Sequence, residues 1–259
     1  MGSCDCEINA CVLCEARLYP GLAPDQVCRI RNLLVRETYS PRQSLFWEGD
    51  GADYLFALKN GQVKLTTSLP DGRQQILRLA VAGQLLGFES LSGRKYSYTA
   101  EALTEAHVCK INRRDLFEVI QQNPAVSVRV IEALSQELEQ AETTIRDLGL
   151  KSSTERIASF LLSLMPGCDG PNKATSLLLS RREMAEMLGL TEETVSRVMA
   201  DFARRHVIET GKGCLRILNP GWLRTHSGIA NGLALTGLWM LLQALQLDAL
   251  SIWVTDFLA

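Results

Sequence analysis

The apolar pattern of the chain changes period three times. Over residues 44–111, short apolar runs (44–47, 54–58, 62–67, 75–79, 98–102 and 106–111) alternate with Gly49-Asp50-Gly51, Asn60-Gly61, Asp71-Gly72 and Ala82-Gly83. Strands of this length and spacing predict an antiparallel barrel or jelly roll, and Asn60-Gly61 and Asp71-Gly72 predict tight hairpins. Residues 18–36 read as a short helical lead-in, with Pro20 and Pro24 punctuating its start. From Pro124, apolar residues return at steps of three and four: Ile131, Leu134, Leu138, Ala141, Ile145 and Leu148. Polar residues fill the steps between, so the stripe is one-sided, the pattern of a helix that pairs with its own copy. The plain alternative is a helix packed on its own barrel.

A third texture begins near Lys151. Residues 153–164 form an amphipathic helix and 167–171 a loop. Ser180-Arg-Arg-Glu183 is a capping box opening a helix over 181–188. Gly189-Leu190 then turns the chain into a helix from Thr191 to about Arg205. Two helices joined by a short glycine turn are a helix-turn-helix, and residues 207–209 and 215–218 add a small hairpin, a wing. The predicted fold class is α+β: an amino-terminal antiparallel β-barrel, a long dimerisation helix and a carboxy-terminal winged helix-turn-helix. The expected parts are a cysteine-rich arm (1–17), a barrel sensor domain (18–123), the dimerisation helix (124–150), the winged helix-turn-helix (151–227) and an apolar helical tail (228–259).

Composition narrows the function. Of 259 residues, 46% are hydrophobic and 22% charged, which excludes disordered and fibrous classes. The net charge of −2 gives no bulk sign of a nucleic-acid partner. Charge is unevenly placed, however. Between Thr194 and Ser227, Arg197, Arg204, Arg205, Lys212, Arg216 and Arg224 stand against Asp201 and Glu209, a local net of +4 on an otherwise acidic chain. A basic end on an acidic body fits a protein that offers one face to phosphate.

Eight cysteines stand at 4, 6, 11, 14, 28, 109, 168 and 214, four of them within the first fourteen residues. The start, Met-Gly-Ser-Cys-Asp-Cys-Glu, has no basic stretch and no apolar core, so it does not read as a secretory signal. A cytoplasmic chain is expected, in which clustered cysteines point to metal or redox chemistry rather than disulfides. An enzyme would use Cys11-x-x-Cys14 as a dithiol, but such motifs sit between a strand and a helix, not in an extreme tail. His107, His206 and His226 are scattered and no phosphate-binding glycine loop occurs. No catalytic site and no small-molecule substrate are expected.

A barrel, a dimer helix and a winged helix-turn-helix in this order, over roughly residues 18–225, resemble the CRP/FNR family of bacterial transcription regulators. The barrel landmarks are Phe46-Trp-Glu-Gly-Asp50, Leu55-Phe-Ala-Leu-Lys-Asn-Gly61, Val63-Lys-Leu65 and Gly83-Gln-Leu-Leu-Gly-Phe-Glu89. The DNA-binding landmark is Ser180-Arg-Arg-Glu-Met-Ala-Glu-Met-Leu-Gly-Leu-Thr-Glu-Glu-Thr-Val-Ser-Arg197. Within the family, Glu193-x-x-Ser196-Arg197, Val108-Cys109-Lys-Ile111 and the amino-terminal cysteines resemble the oxygen-sensing fumarate-and-nitrate-reduction branch. The resemblance implies a homodimer on double-stranded DNA at an inverted TTGAT repeat. It also implies contact with RNA polymerase, and the likeness of Gly83–Glu89 to the family's polymerase-touching loop favours an activator.

The residues fit that chemistry. Arginine can place two donors on guanine O6 and N7, glutamate can accept from a cytosine amino group, and Ser196 is short enough to approach a thymine methyl or a phosphate. Arg181, Arg204, Arg205 and Lys212 are read as phosphate contacts, which position without specifying. By resemblance, Cys6, Cys11, Cys14 and Cys109 ligate a [4Fe–4S] cluster, which needs four converging thiolates. The arm's spacing departs from the family's, so Cys4 could replace Cys6. Zinc is the alternative for such a tetrad, and a haem or nitric-oxide sensor using His107 is another. Cyclic nucleotide is a weaker rival, because Arg94-Lys-Tyr-Ser97 lacks the adjacent arginine–serine pair of nucleotide-binding members. Cys28, Cys168 and Cys214 are read as ordinary thiols, and Glu139 and Glu142 beside the seam as charges that set the dimer's threshold. Residues 229–247 carry no charge, near a membrane span in length. Asn231, Gln243 and Gln246 dilute them and a heptad seam runs through them, so a packing helix is expected rather than a membrane anchor.

Overall fold

Two strands, β3 (Tyr54–Asn60) and β8 (Ala106–Asn112), organise the barrel because both of their faces are covered. A strand's side chains alternate between faces, and here the alternation divides two apolar clusters. Phe56, Leu58, Ala106 and Val108 point into the barrel with Phe46, Val63, Leu65, Leu86, Ala100 and Ala102. Leu55, Ala57, Cys109 and Ile111 point outward into a second cluster with Ile30, Leu85, Leu116, Val119, Val126 and Val130. The computed structural model describes residues 30–164, 174–176, 179–211 and 214–228.

The barrel consists of two four-stranded antiparallel sheets. One has the order β1-β8-β3-β6 and the other β2-β7-β4-β5. The remaining strands are β1 (Val35–Tyr39), β2 (Ser44–Phe46), β4 (Gln62–Ser68), β5 (Gln74–Val81), β6 (Leu85–Leu86) and β7 (Thr99–Ala102). The chain passes from β3 in one sheet to β4 in the other through Gly61, whose φ is +92°; a Cβ there would lie 2.4 Å from the Glu105 carbonyl oxygen, so only glycine fits. The β4–β5 hairpin turns through Gly72, at φ +87°, and Asp71 accepts from the backbone and side chain of Arg73. Asp71-Gly72 thus closes the hairpin that its dipeptide predicts, whereas Asn60-Gly61 turns the chain from one sheet into the other, since β3 pairs with β6 and β8 and β4 with β5 and β7.

The lead-in departs from the sequence expectation. Helix is present at 30–32, but Val35 and Arg36 belong to β1, which pairs along its whole length with β8. Val35, Thr38 and Tyr39 favour a pleated surface, and the ladder to β8 satisfies backbone groups that a longer helix would leave competing for the same sheet edge.

Helix α1 (Glu89–Ser92) follows β6, and α2 (Arg113–Gln122) follows β8, capped by Asn112, whose side chain accepts from the Arg114 N–H. The long helix α3 runs from Pro124 to Leu150. Its first turns bury Val126 and Val130 in the outer cluster, and one step further Glu137 pairs with Arg78 of β5 at 2.7 Å. Burial pushes the Glu137 carboxyl above its ordinary value despite the Arg78 guanidinium beside it. The predicted seam lies on the remaining faces. Ile131, Leu134, Leu138 and Ile145 are 61%, 39%, 62% and 70% exposed. Ala141 is also exposed and Leu148 half-buried, while Glu139 and Glu142 flank them in solvent. The helix therefore has one face spent on its own barrel and a second apolar stripe that its own chain leaves bare.

The chain forms two compact bodies, Met1–Gly149 with Leu179–Thr191, and Leu150–Leu178 with Glu192–Ala259. In the second body, α4 (Ser153–Ser163) starts with a Ser152/Glu155 capping box and packs against α6 (Glu192–Arg204) and α7 (Pro220–Thr225). A three-stranded sheet in the order β10-β11-β9 completes it, from β9 (Ala174–Ser176), β10 (Ile208–Gly211) and β11 (Cys214–Ile217). The wing is thus a hairpin with a third strand, which the loop-like composition of residues 167–176 conceals. The loop expected at 167–171 and the tail at 229–259 lie outside the described residues, and no described helix is long and apolar enough to cross a membrane.

Leu138→Glu would set four carboxylates around the seam of a pair, together with Glu139 of each chain. The dimer constant should weaken at least tenfold, about 1.4 kcal/mol, with the thermal unfolding of the barrel unchanged; sedimentation equilibrium reads the first and calorimetry the second.

Candidate nucleic-acid interface and sensor face

Helix α6 is built to show one face. Val195, Val198, Met199 and Phe202 are buried, at steps of three, one and three, and seat the helix on its own body. Glu193, Ser196, Arg197 and Ala200 occupy the opposite stripe and are all exposed. Among the described residues, Glu193, Ser196 and Arg197 are committed to no hydrogen bond or ion pair. Their side chains rise from adjacent turns of one helix, so a carboxylate, a hydroxyl and a guanidinium converge on one strip. That strip can meet donor and acceptor groups on base edges in a major groove.

The cations expected on phosphate have different surroundings. Arg204 and Arg205, near the end of α6, are exposed, and both bond to Asp201 at 3.0 and 2.8 Å. Such exposed pairs are weak, so phosphate oxygens can replace the carboxylate. Arg216 on the wing is held by Glu209 at 2.7 Å. Lys212, at the wing's tip, lies outside the described residues. Arg181 is half-buried, not splayed into solvent; it lies along its own helix with Nη1 3.6 Å from Met184 Sδ.

Arg181 belongs to α5 (Arg181–Leu188), the first helix of the helix-turn-helix, which folds with the barrel body. Ser180 and Glu183 make the capping box the sequence predicts, and Gly189, at φ +61°, ends the helix. Glu183 does a second thing that sequence spacing does not show. It accepts from Lys64 Nζ of β4 at 3.0 Å, while the same ammonium meets Glu101 of β7 at 3.1 Å. Burial acts to raise the Glu183 carboxyl, but bonds from Ser180 and Lys64 outweigh it and hold the group below its ordinary value.

The sensor face carries Cys109. It is a buried thiol, 6% exposed and outside any disulfide, in the middle of β8. Its cross-strand neighbours are Arg36 of β1 and Ala57 of β3. It lies in the outer cluster with Ile30 and with Val126 and Val130 of α3. Cys6, Cys11 and Cys14, with Cys4 as the alternative, lie outside the described residues. The cysteine thus faces the surface at which the described chain begins, not the barrel interior. His107, two residues before it, bonds Thr38 and Glu105.

Inside the barrel, aromatic rings form one part of the core. The Phe46 and Tyr96 rings stack at 3.9 Å, and Phe56, Tyr54 and Tyr98 close around them. Tyr96 donates to the Tyr54 carbonyl, Tyr98 accepts from the Gly87 N–H, and Ser97 donates to Glu89. Arg78, the nearby cation, is spent on Gln84 and Glu137. Of Gly83–Glu89, Leu85, Leu86 and Gly87 are buried, while Gly83, Gln84, Phe88 and Glu89 are half-buried.

Residues 36–123 match the cyclic nucleotide-binding domain model, and residues 155–225 the Crp-like helix-turn-helix domain model. The transcriptional activatory protein AadR of Rhodopseudomonas palustris is 31% identical over 83% of this chain and 88% of its own length. The chain belongs to the CRP/FNR family. The transcriptional activator FnrL of Cereibacter sphaeroides is 30% identical over 80% of this chain and 87% of its own. The solved structure of FixK2 from Bradyrhizobium japonicum superposes with a TM-score of 0.70 at 27% identity, covering 76% of this chain and 98% of that one. As a member of this family of DNA-binding regulators, which typically act as dimers, the chain is a transcription regulator and not an enzyme.

Arg197→Ala should lower discrimination at its base pair by roughly 1–3 kcal/mol while leaving binding to scrambled duplex nearly intact; equal loss on both would contradict the base-reading role. Because the Glu183 carboxyl is held low in the folded state, its contribution to stability is full at neutral pH and fades as pH falls through that lowered value. Glu183→Gln, which keeps the cap, should flatten the pH dependence of unfolding free energy below the ordinary carboxylate range. Parallel curves for the two proteins would contradict the ion pair.

Proposed function

We propose that this regulator is an oxygen-responsive anaerobic activator that binds an inverted TTGAT-type repeat as a dimer when a [4Fe–4S] cluster is intact. The residues that would hold the cluster are Cys11, Cys14, Cys109 and Cys6, or Cys4 in place of Cys6. The observation that carries the reading is the position of Cys109. It sits on the outer face of β8, in one apolar cluster with Ile30, the first described residue, and with the base of α3.

When bound, such a cluster supplies an oxygen-labile cross-link among four thiolates. The chain's own residues do the rest. Cys109, Val119, Val126 and Val130 pack together, so whatever fixes the outer face of β8 also fixes the first turns of α3. The Arg78–Glu137 pair fixes the next turn. Held this way, α3 presents Ile131, Leu134, Leu138 and Ile145 as one stripe to its copy. Glu139 and Glu142 beside that stripe oppose pairing and set how much fixing the dimer needs. The segment Arg94-Lys-Tyr-Ser97, which lacks the adjacent arginine–serine pair of nucleotide-binding members, supports a signal other than cyclic nucleotide. Contact with RNA polymerase is part of the proposal, as activation requires it.

The test is preparation under nitrogen, followed by iron and sulfide analysis and absorption spectra. About four iron and four sulfide per chain are expected, with loss of the colour in Cys109→Ala and its retention in Cys168→Ala. A colourless protein holding zinc, or Cys109→Ala with a full complement of iron, would overturn the cluster assignment while leaving the DNA-binding function in place.

A further inference from the structure

Trp222 of α7 gathers three ring contacts within the second compact body. Its edge meets the ring of Phe202, a fully buried residue of α6, with centroids 5.2 Å apart and planes at 73°. His226 lies nearly flat against it, at 3.8 Å and 10°. The guanidinium of Arg205, one residue past the end of α6, stands over the same indole at 6.0 Å. His226 is itself tied down, with Nδ1 2.8 Å from the Trp222 carbonyl oxygen and 2.9 Å from Thr225 Oγ1. The backbone at Arg205 is fixed as well. Its N–H donates to the Asp201 carbonyl, and His206 follows in a left-handed conformation, φ +53°, which is uncommon outside glycine.

Arg204 and Arg205 share Asp201, but not in the same way. Arg204 reaches it through Nη2 at 3.0 Å and Arg205 through Nε at 2.8 Å. The Nε bond leaves both Nη nitrogens of Arg205, and the four N–H donors on them, without a partner among the described residues. The attraction of a guanidinium to an aromatic face consumes none of those donors. A phosphate can therefore take the Nη end of Arg205 while Asp201 and Trp222 keep their hold on the rest. We propose that Trp222, clamped by His226, is a positioning residue for DNA binding: it holds Arg205 ready for a phosphate oxygen of the duplex. A long side chain held in one arrangement before binding loses less freedom when it binds. Helix α7 thereby joins the DNA-binding apparatus, although the helix-turn-helix pattern assigns it no part.

This inference rests on the DNA-binding reading but not on the cluster, and the test separates it from both. Arg205→Ala, Trp222→Leu, Trp222→Phe, His226→Ala and the Trp222→Leu/Arg205→Ala double variant are prepared as full chains under nitrogen. Fluorescence anisotropy reads their affinity for an inverted TTGAT repeat and for a scrambled duplex over a series of salt concentrations. Each phosphate contact adds about one to the slope of log affinity against log salt. Arg205→Ala should lower that slope by about one per chain on both duplexes, and Trp222→Leu should bring the larger part of the same fall. The double variant should fall no further than Arg205→Ala, and Trp222→Phe, which keeps a ring face, should recover most of the slope. Preference for the repeat over the scrambled duplex should stay constant, because phosphate contacts position without specifying. His226→Ala removes only an exposed ring, so it carries the same expectation of a lowered slope should Trp222→Leu fold poorly. An unchanged slope in Arg205→Ala, or in both Trp222→Leu and His226→Ala, overturns the proposal. So does an additive double variant. A Trp222→Leu chain that loses its preference for the repeat at unchanged slope also overturns it, since that is what mere packing of α6 through Phe202 would give. A parent chain that binds neither duplex overturns the DNA-binding reading itself, and this inference with it.

Discussion

The structure depends on burying strand β8 on both faces. One set of its alternate residues, Ala106 and Val108, closes the barrel core; the other, Cys109 and Ile111, anchors everything that lies outside it. A strand buried on one side only could have carried polar residues at every second position and would have needed nothing against it. Because the outer residues are apolar, they require a cover, and α2, the first turns of α3 and the chain around Ile30 supply it. The sheet thereby joins the approach of the amino-terminal arm to the base of the long helix through a single packed cluster. Packed interiors pass on displacement because they leave little free volume to absorb it.

The same economy of faces shapes the helices. Helix α3 packs Val126, Val130 and Glu137 on the barrel and leaves Ile131, Leu134, Leu138 and Ile145 exposed, which suits the proposed pairing of two such helices. Exposed apolar stripes of this length are rare on monomers. Helix α6 buries Val195, Val198, Met199 and Phe202 and leaves Glu193, Ser196 and Arg197 exposed. In both helices the face proposed to be functional is the one that packing among the described residues does not use.

Most of this architecture is legible in the sequence because it is local. Glycine turns at Gly61 and Gly72, the Ser180–Glu183 capping box, the heptad stripe and the alternation along β3 and β8 are all short-range patterns with a direct physical cause. What escapes is long-range. Strand β1 is read as the end of a helix, because only its ladder to β8 makes Val35 and Arg36 a strand. Strand β9 hides in a stretch of loop-like composition, since its partner, β11, is almost 40 residues away. The meeting of Lys64 with Glu101 and Glu183 spans 119 residues at its widest and leaves no trace in spacing. Arg181 looks like an exposed phosphate contact in the sequence, yet in the structure it lies half-buried along Met184. The α6 strip, by contrast, follows from helical periodicity alone, and Glu193, Ser196 and Arg197 stand together where that periodicity puts them.

In the proposed response, oxygen acts on DNA binding through one quantity, the pairing of two α3 helices. The measurement that tests it most directly is the sedimentation mass of an anaerobically prepared sample before and after air is admitted, with the absorption spectrum followed in the same cell. The account predicts a dimer that falls to a monomer as the colour fades, with loss of the inverted-repeat complex in step. A mass that stays constant while the colour fades, or a dimer that forms equally well in a colourless protein, would contradict it.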